Sequence, residues 1–253
     1  MHFSSRFIRT GAILLATLIQ PSFAQGYGIG ILTGTKTGTY IQFGQNIAEM
    51  SKREGLNINV VPTEGSVENI QRLIDNENAG MAIVQSDVLR YLKNSKDPEL
   101  NSIAEKIRLI FPFYNEEVHI LANKSITSFD QLNGKRVAVG STGSGTRLTA
   151  NNLFRLADIT PSEKLSQGTA EALTMLITKQ IHAMVYVAGK PVQLFEMLDT
   201  EEWSDELKSL IGELHFLPLN NPDILENYTL SSISHSDYEF IEEPVNTVAV
   251  KPC

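Results

Sequence analysis

The stretch KRVAVGSTGSGTRLTANNLF, residues 135–154, is typical of a β-strand that runs directly into an α-helix. Its first five residues form a short apolar-rich run, and Thr146, Ala150 and Leu153 then recur on one face of a helix. Three glycines and five hydroxyl side chains crowd the junction. Such a turn directs unpaired backbone N–H groups, hydroxyls and the positive end of a helix dipole at one point, which favours an anion.

Strand-like and helix-like segments alternate along the rest of the chain. GIGIL (residues 28–32), INVVP (58–62) and AGMAIV (79–84) each precede a polar turn and an amphipathic helix. This rhythm predicts an α/β fold with mostly parallel, doubly wound sheets. RLIFPFY (108–114) and EVHILA (117–122) are interpreted as two strands in quick succession, which form a crossover between lobes.

A second α/β unit follows the crossover and ends in the strand-like run IHAMVYVAG, residues 181–189. Two such units joined by a waist predict two lobes around a central cleft. Residues 25–114 are assigned to the first lobe and residues 115–243, with the crossover, to the second. Residues 244–253 are interpreted as the start of a return to the first lobe that is cut short.

The N-terminal residues predict export. Arg6 and Arg9 precede an apolar run of nine residues, Gly11 to Ile19, and Ser22-Phe23-Ala24 is typical of a cleavage site. A membrane anchor would need about 20 apolar residues. Residues 1–24 are therefore interpreted as a signal peptide, and the periplasm as the site of action.

Composition excludes several classes of function. The net charge is −8, and no Lys/Arg cluster is interleaved with aromatic residues, so no nucleic-acid partner is expected. Cys253 is the single cysteine, which excludes an intramolecular disulfide. No HExxH, paired-cysteine or Asp-rich loop indicates a metal site, and no cofactor is expected.

The glycine-rich turn also departs from two catalytic motifs. A P-loop requires Lys and Ser/Thr after the second glycine of G-x-x-x-x-G, whereas Thr146 and Arg147 follow Gly145. A serine hydrolase requires G-x-S-x-G, and Thr142 stands where the first glycine belongs. Arg147 could pair with a ligand carboxylate or lie in solvent. His119 and His182 lie in apolar runs and are interpreted as core or hinge residues.

Glycine or hydroxyl clusters recur where the strand-like segments end, and ligands of open α/β sheets bind beyond those ends. One wall of the cleft would come from TGTKTGTY (33–40), EGSVEN (64–69) and QSD (85–87), and the other from GSTGSGT (140–146) and YVAG (186–189). Each cluster alone is also consistent with a well-capped helix. Their recurrence favours a shared ligand site.

Five segments, TGTKTGTY, EGSVENIQRL, MAIVQSDV, LNGKRVAVGSTGSGTRLTA and HAMVYVAGKP, resemble in order and spacing the TAXI family of extracytoplasmic solute receptors. The likeness covers about Gly28 to Lys251. It implies a type II periplasmic-binding-protein fold, in a monomer without catalytic activity. It also implies that the protein binds a small carboxylate, such as a glutamate-like amino acid, a dicarboxylate or an oxo acid. The integral membrane subunits of a TRAP-type transporter would receive this ligand.

Matched by motif, the resemblance places ligand contacts at Thr37, Gly38, Thr39, Tyr40, Ser66, Val67, Gln85, Ser144, Gly145, Thr146 and Tyr186. Relatives continue beyond VNTVAVKPC, so apolar surface is expected on the first lobe. A periplasmic enzyme and a ligand-sensing module that use the same cleft remain alternatives.

Overall fold

The computed structural model describes residues 29–75, 79–199 and 203–250. The interpreted signal peptide and Cys253 lie outside these residues. Among the helices described, none combines the length and the apolar character needed to cross a bilayer.

The first lobe is built on a small parallel sheet. Its strands, in the order β2-β1-β3, are β1 (Ile29–Leu32), β2 (Ile58–Val61) and β3 (Met81–Ala82). Its helices are α1 (Thr39–Arg53), α2 (Ser66–Ile74), α3 (Ser86–Asn94) and α4 (Pro98–Lys106). Each of α1, α2 and α3 begins a few residues after a strand ends, as the βαβ rhythm predicted, so their N-termini lie at the same edge of the sheet.

The second lobe is built on a larger mixed sheet. Its strands are β4 (Glu116–Asn123), β5 (Arg136–Ala138), β6 (Glu163–Leu165), β7 (Ala183–Ala188), β8 (Leu214–Phe216), β9 (Thr229–Ile233) and β10 (Val245–Val250). Their order is β6-β5-β7-β4-β10-β9, and β8 also pairs with β4. In this sheet, parallel pairing is confined to β5 with its neighbours β6 and β7. Strand β4 runs antiparallel to β7, β8 and β10.

Helices cover both faces of the large sheet. They are α5 (Gly145–Leu156), α6 (Thr169–Ile177), α7 (Gln193–Glu196), α8 (Asp205–Ile211) and α9 (Pro222–Asn227), with 3₁₀ turns at Phe129–Leu132 and Met197–Asp199. One face packs Leu153 and Phe154 of α5 against the sheet, with Phe154 stacked on Phe129 at 5.5 Å between ring centroids. The other face centres on Phe195, which is fully buried. Burial of each such side chain stabilises the fold by about 1.5–3 kcal/mol.

The crossover differs from the sequence prediction. EVHILA forms β4 as predicted, but RLIFPFY is not a strand, since residues 107–115 carry no regular structure. Pro112 has no N–H to donate to a ladder, and a β-branched or aromatic run becomes a strand only beside a partner. Leu109, Ile110 and Phe111 are instead 63%, 76% and 62% exposed. This segment therefore presents apolar surface.

Candidate functional site

A cleft of about 480 Å³ lies between the two sheets, at the ends of their parallel strands. Ten of the eleven predicted ligand-contacting residues line this cleft: Thr37, Gly38, Thr39, Tyr40, Ser66, Gln85, Ser144, Gly145, Thr146 and Tyr186. The predicted convergence of the glycine and hydroxyl clusters on one cavity is therefore present in the structure. Whether these residues contact a ligand stays a prediction.

Helix α1 brings the first cluster to the cleft. A turn closed by the Gly38 N–H and the Thr35 carbonyl, at 2.9 Å, leads into its first residue. Gly38 caps the helix without a side-chain hydrogen bond, and the first turn carries no acidic residue. The leading N–H groups of α1 have no acceptor one turn earlier in the helix, so a cleft ligand can accept hydrogen bonds from them.

Helix α5 brings the glycine-rich turn to the opposite wall. Gly140 and Gly143 have φ angles of 89° and 90°, a left-handed backbone that favours glycine. The Ser144 hydroxyl is used within the turn, since it accepts from the Arg147 N–H at 3.1 Å and donates to the Ser141 carbonyl. Ser144 therefore caps α5, as the interpretation of a well-capped helix predicts. The turn directs the N–H groups at the start of α5 at the cleft.

Val67 is placed differently from the other predicted residues. It is not among the residues that line the cleft, and its side chain is exposed. The N–H groups of Val67 and Glu68 donate to the Gly143 carbonyl of the opposite lobe, at 3.0 and 2.9 Å. The N-terminus of α2 thus holds the two lobes together, and its dipole is directed at a backbone carbonyl.

Other contacts also join the two lobes. Thr149 on α5 donates to the buried Asp87 carboxylate of α3 at 2.6 Å, and Arg90 donates to the Asn227 carbonyl at 2.9 Å. The Arg90 guanidinium also lies over the Tyr228 ring, 5.3 Å from its centroid. Burial raises the pKa of Asp87. Asp87, expected in one wall of the cleft, therefore belongs to the contact between the lobes.

Gly145 lies at a close approach of the two lobes. A Cβ atom built on it would lie 1.8 Å from Gln85 Oε1 and 2.8 Å from Ser66 Oγ, both in the first lobe. A side chain at this position would fit only if the Gln85 side chain moved away. The glycine of the motif thus serves the closed arrangement of the lobes.

Glu116 is a cleft residue that the sequence prediction missed. It begins β4, is 2% exposed and accepts a hydrogen bond from the Tyr40 hydroxyl at 2.8 Å. Burial raises the pKa of its carboxyl to about 8, although hydrogen bonds from Tyr40 and Gln85 oppose the shift. Two adjacent acids at the start of an apolar strand were the available signal. Glu117, the next residue, faces away and accepts from Ser231 at 2.9 Å.

Two polar side chains near Glu116 complete this part of the cleft. Gln85 is 2% exposed, and its Oε1 atom is buried without a hydrogen-bond partner in the protein. Burial raises the pKa of Tyr186 to about 12, and the charge of Glu116 adds to this shift. Tyr186 therefore stays a neutral phenol at physiological pH.

The basic residues discussed from the sequence lie elsewhere. Arg147 is not among the described residues that line the cleft. His119 is fully buried, as predicted: its Nε2 contacts the Tyr238 hydroxyl at 2.8 Å, and burial lowers its pKa to about 4. Within residues 29–75, 79–199 and 203–250, no three His, Cys, Asp or Glu side chains form a group that could hold a metal ion.

Comparison with solved structures identifies the architecture. A substrate-binding protein of an ABC uptake transporter from Streptococcus pneumoniae, solved with bound histidine, superposes with a TM-score of 0.50 at 12% identity, over 89% of this chain and 79% of that one. A structure described as a periplasmic transporter gives a TM-score of 0.50 at 14% identity, over 89% and 76% of the two chains. At these identities the likeness concerns the fold, and it confirms the predicted periplasmic-binding-protein architecture.

The sequence itself supplies the family. Residues 31–253 match the NMT1-like family, a span that contains every described residue that lines the cleft. The chain therefore belongs to the NMT1-like family.

Proposed function

We propose that the protein is an exported receptor that captures a small organic anion, a carboxylate, in the cleft between its lobes. The observation that carries this proposal is the convergence of the N-termini of α1, α5 and α6 on one cavity, with the two lobes already in contact around it. Each helix N-terminus offers unpaired N–H groups and a partial positive charge. The solved structure with bound histidine supports a small solute as the occupant of such a cleft.

Binding of this kind needs oriented donors and the removal of water. When the lobes meet, donors on both walls lose water together, and each hydrogen bond to a charged ligand group then contributes about 1.5–3 kcal/mol. The hydrogen bonds from Val67 and Glu68 to Gly143 form only when the lobes meet, so they add to the stability of the closed state.

The finer assignment rests on the motif likeness. We propose that the receptor is of the TAXI type, acts as a monomer in the periplasm and delivers its ligand to the membrane subunits of a TRAP transporter. Fractionation of cells that express the full chain would test the location. Uptake of labelled ligand, with and without the neighbouring transporter genes, would test the delivery.

A periplasmic enzyme is the second candidate, and Glu116 is the observation that favours it. A buried carboxyl with a raised pKa, hydrogen-bonded to Tyr40, is a common feature of catalytic acids and bases. No His lines the described part of the cleft, so a Ser–His pair is not available there.

One experiment separates the two candidates. The purified mature protein is titrated with a panel of carboxylates while its thermal unfolding and the ligand's chemical identity are followed. A receptor is stabilised by a stoichiometric amount of a ligand that remains unchanged. Sustained conversion of the ligand would reject the receptor, and the absence of any stabilising carboxylate would reject carboxylate binding.

A further inference from the structure

A second contact between the two lobes lies outside the ligand cleft. Asp87, the second residue of α3, is 3% exposed, and its Oδ2 atom accepts a hydrogen bond from the Thr149 hydroxyl of α5 at 2.6 Å. Tyr228, the residue after α9, donates to the same oxygen at 3.4 Å. None of the three is among the described residues that line the cleft. The contact therefore joins the lobes without touching a ligand in the cleft.

The Asp87 carboxylate depends on the opposite lobe for its hydrogen bonds. Burial raises the pKa of Asp87, and the hydrogen bond from Thr149 opposes this shift. Within the part of the chain that the structure describes, Asp87 Oδ1 is buried without a hydrogen-bond partner. Without the Thr149 hydroxyl, the carboxylate would keep only the longer bond from Tyr228. A buried carboxylate that loses a donor is strongly disfavoured, so the Thr149 hydroxyl matters most when the lobes are together.

Polar groups at this position suit a contact that forms and breaks. Apolar side chains of similar volume would hold two packed lobes together as well as a buried carboxylate does. When the lobes part, however, apolar side chains would be exposed to water, whereas a carboxylate and two hydroxyls would regain hydrogen bonds from it. The chemistry of Asp87, Thr149 and Tyr228 is therefore that of a reversible contact.

Two helices connect this contact with the cleft. Gln85 lines the cleft and directly precedes α3, and Asp87 follows within the first turn of that helix. On the opposite lobe, Gly145 and Thr146 line the cleft at the start of α5, and Thr149 lies about one helical turn further on. A ligand that accepts hydrogen bonds on both walls therefore also favours the approach of Asp87 to Thr149.

We propose that Asp87, Thr149 and Tyr228 form an inter-lobe lock, which keeps the cleft closed over a bound ligand and so sets the rate at which the ligand leaves. They are positioning residues, because they act through the approach of the lobes and contact no ligand in the cleft. This inference rests on the proposed receptor function and names a device that regulates the same cleft.

Thr149→Val tests the lock, because it removes the hydroxyl and keeps the shape of the side chain. The lock forms only as the lobes meet, so the variant should release a bound solute at least about tenfold faster. Its association rate should stay within about twofold of the wild type. The probes are labelled glutamate, 2-oxoglutarate and succinate, and release is followed after dilution into excess unlabelled solute. A merely structural role would not confine the change to the release rate.

Two threonine variants are the controls. Thr149→Ser restores the hydroxyl, so its release rate should return to within about threefold of the wild type. Thr174→Val removes a hydroxyl that donates to the Ala170 carbonyl of its own helix, α6, at 3.0 Å, so its release rate should be that of the wild type. Urea unfolding without solute shows whether each variant is folded.

A second member of the lock gives an independent test. Tyr228→Phe keeps the ring that lies beneath Arg90 and removes only the hydroxyl. Because this hydrogen bond is the longer of the two, release should become faster by a smaller factor than in Thr149→Val.

The outcomes separate the lock from the function on which it rests. An unchanged release rate in folded Thr149→Val protein would overturn the lock and leave the receptor intact. Release from Thr149→Ser as fast as from Thr149→Val would do the same. If the wild type binds none of the three solutes, or converts one of them, the carboxylate receptor and the lock fail together.

Discussion

Gly145→Ala tests whether ligand binding requires the close approach of the two lobes. The added Cβ would lie 1.8 Å from Gln85 Oε1, about 1.6 Å short of the 3.4 Å at which ordinary contact begins. Gln85 could rotate away, but it would then lose its hydrogen bond with Glu116. Overpacking of this kind costs about 1–3 kcal/mol, and here the cost falls on the closed state.

The expected result is weaker binding in a protein of unchanged stability. A cost of 1–3 kcal/mol corresponds to a loss of affinity of about 5- to 150-fold. Because Gly145 is the first residue of α5 and its clash involves the other lobe, the ligand-free protein can relieve the clash by opening. Calorimetric titration gives the affinity, and urea unfolding without ligand gives the stability.

Gly168→Ala is the matched control for this experiment. Gly168 also lines the cleft and caps the N-terminus of a helix, α6, but a Cβ built on it meets nothing within 4 Å. Its affinity should stay within about twofold of the wild type. Equal affinities for Gly145→Ala, Gly168→Ala and the wild type would refute the view that this approach of the lobes accompanies binding.

Three further predictions concern stability, each measured by urea unfolding. Leu153→Ala should lower the free energy of unfolding by about 2–5 kcal/mol because Leu153 is fully buried. Ile110→Ala should lower it by less than about 0.5 kcal/mol because Ile110 is 76% exposed. Equal losses in the two variants would contradict the described core. Gly140→Ala should cost more than about 1 kcal/mol, since its φ is 89° and the nearest side-chain carbon would lie 2.8 Å away; a neutral change would contradict this turn. Burial lowers the pKa of His119 to about 4, so between pH 6.5 and pH 4 the unfolded chain binds a proton that the folded protein does not. The free energy of unfolding should therefore fall as the pH falls through this range, by on the order of 3 kcal/mol. Glu116 acts with the opposite sign, because its raised pKa makes stability fall as the pH rises from 4.5 to 8, so His119→Gln should flatten only the acid side of the profile.

Local sequence determined those parts of the fold whose causes are local. The run from residue 135 to residue 154 was predicted as a strand, a turn and a helix, and it forms β5, the glycine-rich turn and α5. Left-handed glycines, a serine cap and a helical apolar face are all properties of neighbouring residues. RLIFPFY was predicted wrongly because strand formation depends on a partner elsewhere in the chain, which composition does not reveal.

The site shows the same division between local and distant causes. Ten of the predicted residues line the cleft because strand ends and helix N-termini of α/β units meet at one edge. Val67 lies in the first turn of α2, just as predicted ligand-contacting residues lie in the first turns of α1 and α5. Its N–H group is taken by Gly143, 76 residues later in the chain, and only the packing of α2 on the opposite lobe brings the two together. Glu116 was missed for a similar reason, since its burial depends on Tyr40, which is 76 positions earlier.

Burial of the Glu116 carboxylate opposes closure of the lobes in the absence of a ligand. A rise in pKa from 4.5 to about 8 means that burial disfavours the ionised form of Glu116 by on the order of 5 kcal/mol. At pH 7, closure without a ligand would therefore require Glu116 to take up a proton, at a cost on the order of 3 kcal/mol. A ligand group that offsets the burial of Glu116 would remove that cost, and the N–H donors on both walls would then add to the stability of the closed state. A ligand can shift a conformational equilibrium only by its difference in affinity for the two states, and Glu116 supplies such a difference.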